Sequence, residues 1–228
     1  MVDRKRPVIL PACIRGPEEH GEVLVTSNPY DRKYQKPEFY WGTKPSALCD
    51  RLLRHLGQRS PRDLCLLDLG CGEGRNAVYF ASHGFSVTAL DSSPSGLEKT
   101  RRLASEQKTE ITLIEADIID WRPERDSFDV ILSTGTLHYL PPDLRYPVFQ
   151  SYRSATRAGG INAMNVFVEK PFVAPPPDAE GMLMFRSGEL FGYYWDWEIV
   201  DCCENIFDCM SGGIPHRHAL NRMIARKV

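Results

Sequence analysis

Short apolar runs alternate with amphipathic segments from residue 46 to residue 168, which indicates an α/β protein. A helix is predicted for residues 46–56, where leucines recur at helical spacing and Gly57 ends the pattern. Strands are predicted at residues 64–69, 85–91, 111–115, 128–133 and, after a turn at 158–160, at 161–168. Further helices are predicted at residues 75–84, 94–107 and 142–157. Repeated strand–helix units of this kind form a right-handed, mostly parallel sheet.

The chain departs from this alternation at both ends. Residues 169–184 contain four prolines, so this connection is too stiff for a helix and too long for a simple link, and we expect it to cover a substrate. Residues 186–197 are predicted as a helix, and residues 198–207 and 218–226 as two closing strands that make this sheet edge antiparallel. Residues 1–28 are predicted as a partly ordered arm, and residues 29–228 as one domain.

A glycine-rich turn follows the first predicted strand, with glycines at positions 70, 72 and 74. Glycine lets the backbone approach a ligand closely, and several nucleotide-binding folds use such a turn. Asp68 comes two residues before it, where a carboxylate would repel a pyrophosphate and attract a cation. S-Adenosylmethionine fits, because it carries a sulfonium and an ammonium and no phosphate. Cys71 lies inside the same turn, where packing is its simplest role.

Other polar side chains follow the carboxyl ends of the later strands. Asp91 ends the second strand nineteen residues after Gly72, the spacing at which a carboxylate meets ribose hydroxyls. It would equally serve as the cap of a helix that begins near Pro94. Asp117 follows the third strand and Ser133 ends the fourth. Ligands of parallel sheets bind at this edge, so we expect these side chains to lie together.

Composition narrows the classes of function. At 228 residues, 42% of them hydrophobic, the chain can bury one sizeable core. A net charge of −2 with scattered Lys and Arg predicts no nucleic-acid partner, and no apolar run is long enough to span a membrane. Seven cysteines indicate reduced thiols and a cytoplasmic location, and the spacing of Cys202, Cys203 and Cys209 predicts no metal site. A monomer and a homodimer both remain compatible with the sequence.

Residues 30–41 contain five aromatic side chains interleaved with charge. Leaving them in solvent is costly, so the segment forms either a lid or pocket wall, or an N-terminal helix packed on the core. Tyr40 and Trp41 from this segment, with Tyr139 and Phe172 from later loops, are candidates for an apolar cap over the substrate. Each of the four would also fit an ordinary core.

Several stretches resemble class I S-adenosylmethionine-dependent methyltransferases and, within that superfamily, the tellurite-resistance (TehB-type) methyltransferases. They are residues 30–34 with 39–42, residues 67–76, residues 188–190 with Tyr193, Tyr194 and Trp197, and His216 and Arg217 with residues 225–227. The resemblance covers roughly residues 30 to 228. It implies a Rossmann-like α/β fold with a seven-stranded, mostly parallel sheet, an antiparallel last strand and helices on both faces.

The resemblance also implies which residues contact the cofactor. For the methionine part, the ribose and the adenine in turn, they are Asp68, Gly70, Cys71, Gly72, Gly74, Arg75 and Asn76, then Asp91 and Ser92, then Asp117 and Ile118. Ser133, Thr134 and His138 would lie near the sulfonium. The product would be S-adenosylhomocysteine.

The acceptor side is predicted from polar residues in two loops. Methyl transfer is an in-line displacement at the sulfonium methyl, so a catalytic base is optional. For a selenium or tellurium oxyanion, Arg217 with protonated His216 or His218 would orient the oxygens; for a thiol, a histidine such as His138 would assist proton removal. His216 and His218 would equally fit surface positions of an edge-strand turn, and alternation places Arg217 on the opposite face.

Three functions are compatible with these residues. The first is methyl transfer to a small acceptor, tellurite, selenite or a thiol before an organic metabolite. The second is a nicotinamide-dependent dehydrogenase, which would use the same turn and Asp91 but would not favour Asp68. The third is a catalytically silent subunit that binds S-adenosylmethionine and lacks the substrate wall. We expect the first.

Overall fold

A single mixed sheet forms the centre of the computed structural model, which describes Asn28 and residues 30–177, 181–210 and 213–228. Its strands are β1 (Cys65–Leu69), β2 (Ser86–Asp91), β3 (Ile111–Glu115), β4 (Phe128–Ser133), β5 (Thr156–Phe167), β6 (Glu198–Cys209) and β7 (His216–Arg226). They are ordered β3-β2-β1-β4-β5-β7-β6 across the sheet. β1 to β5 pair in parallel, whereas β7 is antiparallel to both β5 and β6. The predicted Rossmann-like sheet with its antiparallel last strand is confirmed.

Helices cover both faces of this sheet. They are α1 (Asp31–Tyr34), α2 (Ala47–His55), α3 (Arg75–Ser82), α4 (Pro94–Glu106), α5 (Pro142–Ala155) and α6 (Glu189–Gly192), with single 3-10 turns at Pro61–Asp63 and Leu137–Tyr139. Leu66 packs with α2 and α3, whereas its neighbour Leu67 packs with Phe149 of α5. Strand alternation therefore divides the apolar residues of β1 between two cores.

Local signals start the helices that border the cofactor edge. Ser46 caps α2 by accepting from the backbone N–H of Leu48 (3.3 Å), and Ser93 caps α4 by accepting from that of Gly96 (3.0 Å). Pro94 is the first residue of α4, a position where its missing N–H costs nothing. The cap is thus Ser93, and the alternative role of Asp91 as the cap is wrong.

The predicted helix at residues 186–197 is wrong except for one turn, α6. The chain turns away after it because two aromatic side chains go into the core. Tyr194 and Trp197 are both buried, and the Tyr194 hydroxyl accepts from Asn162 Nδ2 of β5 (2.9 Å). A continuous helix would not bring that hydroxyl to the sheet.

The turn predicted at residues 158–160 lies inside β5 as an irregularity. The strand begins at Thr156, and its pairing with β4 shifts register between Phe128 and Val130. A Cβ on Gly160 would lie 2.8 Å from the Asp129 carbonyl oxygen, so only glycine fits where the two strands approach each other.

Both closing strands extend two residues further than predicted at their shared loop. β6 reaches Cys209 and β7 begins at His216, and these two residues are register partners. Because β7 is antiparallel to β5, its first residues lie at the carboxyl edge of the parallel strands. Most of the predicted arm, residues 1–27, lies outside the described residues. Within the described part of the chain, no helix combines the length and apolar character needed to cross a membrane.

Candidate active site

The glycine turn after β1 is fixed by hydrogen bonds to the end of β2. The backbone N–H groups of Gly70 and Cys71 both donate to the Leu90 carbonyl oxygen, at 2.8 and 2.9 Å. The N–H of Gly72 donates to Asp91 Oδ2 (2.7 Å). The turn and the β2 carboxylate therefore form one unit.

Glycine is required in this turn by conformation and by space. Gly70 and Gly74 have φ of 69° and 83°, a region that favours glycine. A Cβ on Gly70 would lie 2.1 Å from Thr136 Oγ1, and one on Gly74 would lie 2.5 Å from a Thr100 methyl carbon. The missing side chains thus admit the loop after β4 on one side and α4 on the other.

Asp68 lies at the carboxyl end of β1 with a buried, unpartnered carboxylate. It is 1% exposed, and neither oxygen has a hydrogen-bond partner among the described residues. Burial and, to a smaller extent, the Asp91 charge raise the pKa of Asp68 to about 7 against the opposing charge of Arg75. An uncompensated buried carboxylate is costly, so this position fits a cationic group of a ligand.

Both oxygens of Asp91 accept hydrogen bonds from the chain itself. Besides Gly72, its donors are the Ser93 N–H (2.9 Å) and Asn28 Nδ2 (3.1 Å), both to Oδ1. Asn28 Nδ2 also donates to Ser92 Oγ (3.0 Å). Burial raises the pKa of Asp91, although backbone N–H groups oppose the shift. Asn28 therefore lies on the carboxylate that we expect to meet the ribose.

The predicted adenine side lies at the adjoining strand end. The Ala116 N–H donates to the Asp91 carbonyl oxygen (3.1 Å), which brings the end of β3 beside that of β2. Asp117 Oδ1 accepts from the Ile119 N–H (2.9 Å), and Ile118 is buried. Asp117 and Ile118 thus lie next to Asp91, the residue predicted to bind the ribose.

Residues at the end of β4 connect the turn to its surroundings. Ser133 Oγ donates to the Leu69 carbonyl oxygen (3.0 Å), and Thr134 Oγ1 accepts from Asn76 Nδ2 (2.8 Å). Asn76 Oδ1 accepts from the Ser46 N–H (2.9 Å). These three predicted cofactor residues therefore fix the relative positions of β1, β4, α2 and α3.

A buried ion pair fixes the aromatic segment beside the turn. Lys99 Nζ lies 2.7 Å from Glu73 Oε1, and both side chains are buried. The other contacts of Glu73 are the backbone N–H groups of Tyr40 (3.0 Å) and Trp41 (3.1 Å). Lys99 also donates to the Glu38 carbonyl oxygen (2.6 Å). The sequence pattern did not indicate Glu73 or Lys99. A glutamate next to a glycine and a lysine within a helix form no recognisable local motif.

The aromatic side chains of this segment form a group with the loop after β4. The ring of Tyr30 lies 6.0 Å from Tyr40, 5.7 Å from Trp41 and 6.4 Å from Tyr139, between centroids. Three of the four predicted cap residues therefore lie together, whereas Phe172 is 69% exposed. Trp41 is 36% exposed, which fits a pocket wall better than a core position.

His138 lies deep in the same loop. Neither ring nitrogen has a hydrogen-bond partner among the described residues, and the ring contacts Tyr139 (4.7 Å) and Phe167 (4.6 Å). Burial, together with the charges of His218 and Arg145, lowers the pKa of His138 to about 3. The ring is therefore neutral at physiological pH and offers no positive charge to an anion.

The proline-rich connection returns to this histidine, with residues 178–180 outside the described part. The Leu183 N–H donates to the His138 carbonyl oxygen (2.6 Å). Arg145 Nη2 donates to the Leu183 carbonyl oxygen (2.5 Å), and its Nη1 to Glu189 Oε1 (2.9 Å). The end of the connection therefore lies against the predicted acceptor side.

The closing turn is divided between two faces. His218 is buried and stacks on Phe167 with 4.2 Å between centroids, and its Nε2 lies 2.9 Å from His216 Nε2. Phe167 contacts His138 as well, so the predicted histidines lie near one another. Arg217 is exposed on the opposite face, where Asp208 of β6 is its register partner.

The sequence of this chain is similar to those of known methyltransferases. A family model described as a methyltransferase domain matches residues 66–160. A 2-heptyl-1-hydroxyquinolin-4(1H)-one methyltransferase of Mycobacteroides abscessus is 31% identical over 170 residues, which are 68% of this chain and 74% of that protein. The chain belongs to the class I S-adenosylmethionine-dependent methyltransferases. S-Adenosylmethionine is therefore its cofactor, as predicted, and the dehydrogenase alternative is wrong.

Two further relatives carry the methyltransferase fold. A probable S-adenosylmethionine-dependent methyltransferase TehB of Haemophilus influenzae is 27% identical over 141 residues, 62% of this chain and 48% of the relative. A TehB crystal structure from the same species matches with a TM-score of 0.70 at 22% identity, covering 87% of this chain and 66% of that one. A crystal structure of a Burkholderia thailandensis 1,6-didemethyltoxoflavin-N1-methyltransferase with bound S-adenosylhomocysteine matches with a TM-score of 0.60 at 24% identity. The match covers 79% of this chain and 76% of that one. This chain thus spans about half the length of the TehB relative.

Two N-terminal residues that the sequence pattern did not single out as site residues, Asn28 and Asp31, contact the end of β2 and the start of α4. Asp31 Oδ1 accepts from Ser93 Oγ (2.6 Å) and from the Ser95 N–H (3.2 Å). An acidic side chain at the first turn of α4 is favourable, and the Ser93 hydrogen bond lowers the pKa of Asp31 against the effect of burial. Asn28 and Asp31 together bring the N-terminal segment over the end of β2.

Proposed function

We propose that this methyltransferase acts on a small organic acceptor with a flat, apolar body and an ionisable hydroxyl or thiol group. The observation that carries this proposal is the group of Tyr30, Tyr40, Trp41 and Tyr139 rings beside the glycine turn. Aromatic side chains bind flat apolar bodies through large, rigid contact areas. The Mycobacteroides abscessus relative is named for a hydroxyquinolinone, an acceptor of this kind. The free thiols among the described residues of this chain are consistent with a protein that acts in a reducing cytoplasm.

Each part of the site has a role in this reaction. Asp68 compensates the ammonium of the cofactor, Asp91 binds the ribose hydroxyls, and Asp117 with Ile118 lies against the adenine. When bound, the cofactor supplies an electrophilic methyl group on its sulfonium. The aromatic rings exclude water and align the acceptor with that methyl group.

His138 lies beside the acceptor as a neutral ring and does not act as a general base. A base with a pKa of about 3 accepts very little proton at physiological pH, so its contribution to general base catalysis is small. The acceptor must therefore reach the site already ionised or lose its proton to another group. Acidic hydroxyls and thiols meet that requirement.

A second candidate acceptor is a chalcogen oxyanion, which the similarity to TehB favours. That reaction needs cations to orient the oxygens. Arg217 is exposed on the far face and His138 is neutral, so neither supports it. We therefore rank the oxyanion below the aromatic acceptor.

The acceptor class is tested by measuring S-adenosylhomocysteine release with a hydroxyquinolinone, an aromatic thiol, a small aliphatic thiol, selenite and tellurite. We expect kcat/KM to be highest for the aromatic acceptors and to fall in Trp41→Ala for these alone. Phe172→Ala is the matched control, because Phe172 is aromatic and exposed. Preference for an oxyanion, with no effect of Trp41→Ala, would refute the proposal.

The ribose contact is tested by a matched pair of variants. Asp91→Ala should weaken S-adenosylmethionine binding by about 1.5–3 kcal/mol, the scale of a hydrogen bond to a charged group. Asn28→Ala should leave the affinity unchanged or raise it, because the amide has to leave Oδ1 before both carboxylate oxygens can meet the ribose. Calorimetry that finds equal affinity for Asp91→Ala and the parent chain would exclude the assignment.

Arg217→Ala separates the two acceptor classes. With an aromatic acceptor we expect kcat/KM to stay within about two-fold, since the side chain is exposed on the opposite face. If Arg217 oriented an oxyanion, losing one charge-assisted hydrogen bond would lower the rate roughly ten- to a hundred-fold. Steady-state kinetics with both acceptor classes distinguishes these results.

A further inference from the structure

A thiol and two imidazoles converge where β6 ends and β7 begins. Cys209 and His216 are register partners, and His218 lies two residues further along β7 on the same face. The Cys209 sulfur and one nitrogen of each histidine all lie within 4.8 Å of one another. Cysteine spacing alone did not indicate this cluster, because its two histidines come from the next strand.

The hydrogen bonds of His216 prepare its Nε2 atom for a ligand role. Its Nδ1 lies 2.7 Å from the Ile214 carbonyl oxygen, and because a carbonyl can only accept, Nδ1 carries the proton. In the neutral ring Nε2 then carries the lone pair, and it lies 2.9 Å from His218 Nε2. Metal-binding histidines commonly donate their other ring N–H to a backbone carbonyl in this way.

The ring of His218 is fixed by packing. It stacks on Phe167 at an interplanar angle of 9° and contacts Phe207 at 5.6 Å, and it is only 5% exposed. A ring held in one orientation loses little entropy when it binds a ligand. The cluster therefore combines a buried, fixed imidazole with two half-buried ligands nearer the surface.

We propose that Cys209, His216 and His218 bind one borderline-soft divalent cation, Zn²⁺ first among them. One thiolate with two imidazoles is a donor set that suits Zn²⁺, and three protein ligands leave one tetrahedral position open. Two nitrogens bound to tetrahedral zinc lie about 3.3 Å apart, so the rings need to separate by only a few tenths of an ångström.

Each proton displaced when the cation binds has a defined destination. The Cys209 thiol releases its proton to solvent as the sulfur–metal bond forms. In the neutral pair, the proton between the two rings belongs to His218 Nε2, and it moves to Nδ1 of the same ring when Nε2 becomes a ligand. No oxidant or reductant is required.

The cluster lies near the predicted acceptor side. Phe167 contacts both His138 and His218, so one aromatic ring separates the cluster from that side. The open position of the cation would therefore hold a water molecule and not the acceptor.

Metal binding is measured on the full chain, without cofactor or acceptor, after chelation and under a thiol-free reductant. Titration with Co²⁺ should give one equivalent with a sulfur-to-cobalt charge-transfer band, and Zn²⁺ should displace it. Cys209→Ser should abolish the band, and His216→Ala and His218→Ala should each weaken binding at least ten-fold. Cys202→Ser is the matched control, since Cys202 is exposed on the other face of the same strand and should change nothing.

The possible results all bear on the site. Absence of saturable binding, or equal weakening by Cys202→Ser and Cys209→Ser, would overturn it. Because His218 is buried, melting temperature is measured for each variant, and half-buried His216 supplies the variant that is expected to fold unchanged. Binding that His216→Ala does not weaken in a folded chain would also overturn the proposal.

Discussion

Replacing Asp68 with asparagine is expected to stabilise the ligand-free methyltransferase above pH 7 and to weaken its binding of S-adenosylmethionine. The carboxyl has a folded-state pKa of about 7 against 3.8 in an unfolded chain, mainly because it is buried. A pKa raised in this way means that the folded state binds more protons than the unfolded state. The loss of folding free energy caused by the buried Asp68 charge is absent below about pH 4 and grows up to about pH 7, where it reaches on the order of 4 kcal/mol.

The pH dependence of the parent chain alone would hide this effect. His138 has a folded pKa of about 3 against 6.5, so its contribution rises with pH through much of the window in which that of Asp68 falls. The difference in unfolding free energy between Asp68→Asn and the parent chain isolates Asp68. Urea unfolding should show this difference moving in favour of asparagine from pH 4 to pH 8. A constant difference would contradict the assigned burial of charge.

Ligand binding should change in the opposite direction. Without the carboxylate, S-adenosylmethionine and S-adenosylhomocysteine should both bind about ten- to a hundred-fold more weakly, because both carry the ammonium. Methylthioadenosine lacks the amino-acid part and is the matched control ligand, whose affinity should be unchanged. Calorimetry at pH 8 measures all three. Equal weakening of all three would indicate a distorted turn and not a lost charge contact.

The parts of this site that could be predicted from sequence are those set by neighbouring residues. The glycine turn is one, because its backbone conformation is a requirement that three residues meet locally. The order of strands and helices around it is another, since apolar periodicity and caps such as Ser93 are local signals. Asp68 and Asp91 then follow from the rule that ligands bind at the carboxyl ends of parallel strands.

The parts that could not be predicted depend on contacts between distant residues. Asn28 and Asp91 are separated by 63 residues, and Glu73 and Lys99 by 26. Nothing in the local sequence of any of the four indicates its partner. The predicted helix at residues 186–197 failed for a related reason, because the spacing of Tyr194 also fits a helix and only its contact with Asn162 of β5 reveals the turn.

Breaking the Glu73–Lys99 pair is expected to cause a large loss of stability. Both side chains are buried, so Lys99→Met leaves the Glu73 carboxylate without its cation. Removing one partner of a buried pair typically costs about 3–5 kcal/mol, because the remaining charge stays desolvated. Urea unfolding measures the change. Arg101→Met is the matched control on the same helix, where an exposed pair with Glu98 should contribute at most about 0.5 kcal/mol.

The double variant Glu73→Gln/Lys99→Met separates the stability of the pair from its role in the site. Removing both charges should recover most of the stability that Lys99→Met loses, since no buried charge remains. The acceptor KM of the double variant should nevertheless be higher than that of the parent chain, because Glu73 also accepts from the backbone N–H groups of Tyr40 and Trp41 with its two oxygens. Glutamine offers one acceptor oxygen and a competing donor, so it cannot bind both N–H groups. A double variant with restored stability and an unchanged acceptor KM would mean that the aromatic segment does not form the acceptor wall.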